Sequence, residues 1–176
     1  MTTLRHILSI LLLPGMVTIV VPYLILSSPR FGPPTWPANP LGMAAALAGI
    51  AVIGCGLVLV GATIRHFARV GRGTLAPWDP PRHFVVQGVY RHARNPMISG
   101  VVLILTGETL LFRSIGMLEW TMAFLALNAI YIPLLEEPGL ERRFGDEYRL
   151  YKQHVPRWVP RRTPWTPPWS RDDATA

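Results

Sequence analysis

The sequence predicts an all-α integral membrane bundle, and three observations carry that prediction. Half of the 176 residues are hydrophobic and only 15% are charged, whereas a soluble domain usually carries about a quarter. The apolar residues come in blocks rather than interleaved at helix or strand period. Residues 41–64 contain no charge and are long enough, as helix, to cross about 30 Å of hydrocarbon.

Three further blocks complete an expected set of about four spans. The first, residues 8–26, is interrupted by Pro14 and Pro22. Arg5 and His6 precede it as in a signal peptide, but no small-residue cleavage pattern occurs before Pro29, so it reads as a retained anchor. Residues 97–112 form the third, short and carrying Glu108, and residues 115–135 the fourth, with Glu119, Asn128 and Pro133 inside it. The linkers 27–40 and 71–81 are rich in Pro and break any continuous helix. After Pro138 the pattern becomes amphipathic. Leu140, Phe144, Tyr148 and Tyr151 fall at helical spacing, and the expectation is one helix along the membrane surface or folded over the span ends. The organisation expected is a helix pair over 1–66, a core over 67–160 and a Pro/Trp-rich tail over 161–176.

Charge gives an expected orientation. Arg65, Arg69, Arg72, Arg82, Arg91 and Arg94 lie between the second and third blocks, and another basic group follows Arg142, while the opposite loops hold only Arg30 and Arg113. Basic residues collect on the cytoplasmic side, so both termini are expected there, in a bacterial inner membrane. A net charge of +7 then suggests an anionic leaflet rather than nucleic acid, for which no motif is present. The single cysteine, Cys55, excludes an intramolecular disulfide, and the histidines show no metal-ligand spacing. Ala45, Gly49, Gly54, Gly56 and Gly61 permit close backbone approach, within the bundle or in a homodimer.

Two charged blocks carry the chemistry: GVYRHARNPM, residues 88–97, and EEPGLERRFGDEYRLYKQHVPRWVP, residues 136–160. Each abuts an apolar run, where polar groups need water, partners or a ligand. Arg91 and Arg94 can clamp an anion bidentately, Asn95 can hydrogen-bond a base or ribose, and Glu136 and Glu137 can bind an amine or ribose hydroxyls. S-adenosyl-L-methionine needs such a set. The bland reading makes the arginines topology signals and the glutamates a solvated helix end. Glu108 has two readings, a functional intramembrane carboxylate or an interfacial partner of Arg113.

The order of these pieces resembles the isoprenylcysteine carboxyl methyltransferase family, within the wider group that includes phospholipid methyltransferases. The matching residues are Gly88, Tyr90, Arg94, Asn95 and Pro96, then Glu136 and Glu137, then Phe144, Gly145, Tyr148, Tyr151, Val155, Pro156 and Arg157. The resemblance implies an S-adenosyl-L-methionine-dependent methyltransferase with its cofactor pocket on the cytoplasmic side. It implies a cofactor-binding set of His83, Phe84, Val85, Tyr90, Arg94, Asn95, Pro96, Met97, Ile98, Glu136 and Glu137, with Arg94 and Asn95 positioning and Glu136 the principal acid. Three departures bear on the acceptor. Asn95 replaces the commoner His, keeping hydrogen bonding but losing the titratable ring. Ile98 stands where Tyr is usual, and Ile132 where prenylcysteine-methylating eukaryotic enzymes carry Arg. A lipophilic or lipidated acceptor entering from the bilayer is expected, and with no base visible in the sequence, one already deprotonated. The alternatives are an NADPH-dependent, sterol-reductase-like membrane enzyme and a non-catalytic membrane scaffold.

Overall fold

The computed structural model describes residues 11–31, 39–70 and 86–168. His83, Phe84 and Val85, the expected first wall of the pocket, lie outside the described residues, as does Trp169. The regular elements of the described residues are all helical, with no strand among them, and residues 155–167 form an irregular tail. Helix α1 begins as a wide π-helical stretch, Leu11–Val20, and continues as Val21–Ser27. Helix α2 is Pro40–Val70, α3 is Pro96–Phe112 and α4 is Ile115–Tyr131. A π-helical turn, Ile132–Glu136, carries α4 directly into α5, Glu137–Phe144, and α6, Asp146–His154, follows.

Two helical stretches, Pro40–His66 with 27 residues and Ile115–Phe144 with 30, are long and apolar enough to cross a membrane. Pro14–Ser27 and Pro96–Phe112 are apolar but shorter. At about 1.5 Å per residue the 17 residues of α3 rise roughly 25 Å, close to a full hydrocarbon core.

Backbone contact between glycines locks α2 against α3. A Cβ on Gly56 would fall 2.7 Å from the Gly100 carbonyl oxygen, and one on Gly107 2.6 Å from the Gly49 carbonyl oxygen. Two glycine pairs, each spaced by seven residues, therefore bring the helices together antiparallel. Of the glycines expected to do this, Gly54 and Gly61 face open space, because the rotation of α2 turns them away from α3.

Polar side chains tie α4 and α1 to this pair. Thr121 lies 3.0 Å from the Thr109 hydroxyl and also donates to the Met117 carbonyl, while Trp120 Nε1 donates to the Val17 carbonyl at 3.1 Å. The membrane core is Val60, Val101, Ile104, Leu105 and Phe124.

The amphipathic segment departs from the single helix expected. Gly145 adopts φ 56° and ψ −129°, which a side chain disfavours, and there the chain turns from α5 into α6. Its apolar positions nonetheless converge: Tyr148, Tyr151, Val155, Trp165 and Val86 form a second, separate core, with Leu140 and Phe144 against it. The two cores divide the molecule into a bundle and a charged cap.

Candidate functional site

The antiparallel order of α2, α3 and α4 brings His66, the GVYRHARNPM segment and Glu136 to one end of the bundle. A 3-10 turn, Gly88–Arg91, leads that segment to α3. Asn95 precedes the helix and Pro96 opens it, where the missing N–H costs nothing. Tyr151 of α6 donates to the Tyr90 carbonyl at 2.7 Å. The chain after α6 then runs back along the segment. The Arg94 N–H donates to the Pro156 carbonyl, Asn95 to Arg157, Arg161 to His92 and Trp165 to Arg91. Arg91 is also absorbed here, donating from Nε to the Trp165 carbonyl at 2.7 Å and bonding Thr166.

At the centre sits Glu137, 5% exposed. Arg157 grips it bidentately, with Nε 2.7 Å from Oε1 and a terminal nitrogen 3.0 Å from Oε2, and Arg94 adds a bond of 2.8 Å to Oε1. This joint connects the start of α3, the start of α5 and the returning tail. Tyr148 lies against it, its phenol pushed up to about 12 by burial and then by the Glu137 charge, with Arg94 opposing. Burial likewise raises the Tyr151 phenol. The sequence flagged Arg94 and Glu137 for a cofactor, and the structure commits both to each other. Arg157 entered the sequence reading only as part of V-P-R, because its partner lies twenty residues upstream.

Glu136 differs sharply from its neighbour. Consecutive helical residues point about 100° apart, and Glu136 is half-buried, with no hydrogen bond or ion pair among the described residues. It faces the Tyr90 side. Burial, then Tyr151 and Glu136, raise the Tyr90 phenol. The Asn95 side-chain amide also makes no hydrogen bond among the described residues; only its backbone does. Met97 is half-buried beside it, and Ile98 packs at the edge of the membrane core.

The segment's far face borders an apolar cavity of about 220 Å³ lined by Leu59, Val89, Ala93, Pro96 and Trp158 among others. Glu108 makes no ion pair with Arg113, and its Oε2 is buried without a partner among the described residues. Among the described residues no group of three His, Cys, Asp or Glu is placed to hold a metal ion.

Fold and site together define a helical membrane protein with a charged cap at one end of its bundle. Residues 44–147 match the phospholipid methyltransferase family, and the chain belongs to that family. An uncharacterized protein of Haemophilus influenzae is 44% identical over 64 residues, which is 36% of this chain and 100% of that relative. No solved structure matches the chain. Membership makes it a membrane methyltransferase by family.

Proposed function

We propose that the chain transfers a methyl group from S-adenosyl-L-methionine to the headgroup of a membrane lipid. The observation that carries this reading is the half-buried Glu136 carboxylate near Tyr90, unpaired among the described residues. Elsewhere in the cap Glu137 holds Arg94 and Arg157, Glu141 holds Arg149 and Lys152, Asp146 pairs with Arg149, and Glu147 is exposed. A half-buried carboxylate left without a cation suits the amine or ribose hydroxyls of this cofactor. The residues present fit it: Glu136 for the amine or ribose, Asn95 for a hydrogen-bonding edge, and Tyr90 with Met97 as walls. Arg94, Pro96 and Glu137 contribute by fixing those walls, and His83, Phe84 and Val85 are proposed to complete them. Bound there, the cofactor supplies an electrophilic methyl group on a sulfonium.

The protein's part is alignment. Holding two reactants in line replaces a bimolecular encounter with a far more probable unimolecular one. Ile132 is fully buried, 0% exposed, and offers no cation at the position where a prenylcysteine carboxylate would need one. That supports a lipid headgroup over a prenylcysteine. In this reading four spans place both termini and the cofactor cleft in the cytoplasm, with the acceptor arriving from the bilayer.

Calorimetric titration of the detergent-purified protein with S-adenosylhomocysteine, beside NADPH and a Glu136→Ala control, tests the proposal. The expected result is micromolar binding of S-adenosylhomocysteine that the substitution abolishes. Binding of NADPH alone, or of neither compound by folded protein, contradicts it.

A further inference from the structure

The sequence offers no base for methyl transfer, and the histidines lack ligand spacing. The structure changes that at one position. His66, on the last turns of α2, has its Nε2 buried and, among the described residues, without a hydrogen-bond partner. Its ring stands 5.9 Å from that of Tyr90, tilted by 36°. Gly88 presses on its other nitrogen: a Cβ there would lie 3.1 Å from Nδ1, and the residue holds φ +55°. The family's glycine is thus explained locally, since only glycine both turns the chain and leaves room for this ring. A buried polar atom without a partner is costly. Here the cost falls on a titratable nitrogen that shares Tyr90 with the free carboxylate of Glu136.

Resting on the methyltransferase reading, we propose that His66 is its general base. Nε2 takes a proton from the reacting atom of the headgroup, which is therefore a protic acceptor such as an ammonium and not a carboxylate. An ammonium has no free electron pair, so the N–H proton must pass to Nε2 first. The freed pair then forms the new N–C bond as the C–S bond breaks, its electrons staying on sulfur. The proton on Nε2 returns to water before the next turnover. Among the described residues the titratable group facing the ring is Tyr90 from the 3-10 turn, with Glu136 beyond it, and the exposed Arg65 precedes His66 on its own helix.

The test uses the full chain in nanodiscs of phosphatidylethanolamine and phosphatidylglycerol with labelled S-adenosylmethionine. His66→Gln keeps a polar side chain but cannot titrate. It is expected to lower kcat by about 10²–10⁴-fold, and to leave S-adenosylhomocysteine affinity unchanged. In the wild type the rate falls as pH drops through the imidazole range, because a protonated Nε2 accepts nothing; the variant instead depends on headgroup already deprotonated, so its rate falls steadily below the amine's own range and shows no separate limb in the imidazole range. A readout independent of turnover is the ¹⁵N signal of the His66 ring, identified by its absence in the variant. With S-adenosylhomocysteine bound, it is expected to differ between nanodiscs with and without phosphatidylethanolamine. A variant that keeps the wild-type rate and acid limb overturns the assignment. So does an identical ring signal in the two lipids, or cofactor binding without any transfer to phosphatidylethanolamine. Failure of the wild type to bind S-adenosylhomocysteine sinks the methyltransferase reading itself, a result distinct from each of these.

Discussion

The bundle and the cap are held together by opposite means. Between α2 and α3 the contact is backbone on backbone, made by Gly49 with Gly107 and Gly56 with Gly100. In lipid no water is released when apolar helices meet, so fit decides. The cap is instead built on a buried carboxylate gripped by two guanidinium groups, a tyrosine hydroxyl on a carbonyl and a returning tail. The bundle fixes where the helix ends lie, and the cap fixes which polar groups there stay unpaired. In the proposed reading, specificity for a polar ligand arises at the seam, where the side chains of Glu136, Asn95 and His66 have no hydrogen-bond partner among the described residues.

Glu137→Ala is expected to break this division most severely. It leaves Arg94 and Arg157 facing each other in a largely dry site, and removing one partner of a buried pair costs about 3–5 kcal/mol. Loss of protease resistance in 86–168, measured in detergent against the wild type, checks it. Next comes the glycine seam. Gly100→Leu drives a side chain into Val60 and the α2 backbone, and overpacking costs about 1–3 kcal/mol or more. Gly54→Ala, on the open face of α2, leaves thermal stability unchanged. Should the two substitutions prove equal, the seam is misplaced. Tyr151→Phe sharpens the comparison at its smallest scale. Loss of the bond to the Tyr90 carbonyl costs about 0.5–1.5 kcal/mol, read as a modest drop in melting temperature.

Much of this was legible in the residues. Apolar blocks gave the helices, and the two charged blocks are indeed brought to one end. Finer assignments were hidden because they depend on rotation and register. Composition shows five small residues on α2 but not which face meets α3; the matching seven-residue spacing of Gly49/Gly56 and Gly100/Gly107 was the available signal. The single amphipathic helix became two because Gly145 takes a backbone conformation that periodicity does not register. Glu136 and Glu137 looked like one unit, yet neighbours on a helix diverge by about 100°, and only one can face the arginines. His66 was weighed in the sequence only as a metal ligand, because the signal that singles it out is a missing partner, which no sequence displays.

The central claim is that these adjacent carboxylates have separate tasks, Glu137 binding the cap together and Glu136 awaiting a ligand. Glu136→Gln and Glu137→Gln are therefore to be compared by thermal unfolding and by S-adenosylhomocysteine titration on the same samples. The account predicts a Glu136→Gln protein that melts with the wild type and no longer binds, and a Glu137→Gln protein that melts well below it. A Glu136→Gln protein that binds as the wild type does, or a Glu137→Gln protein of undiminished stability, contradicts it.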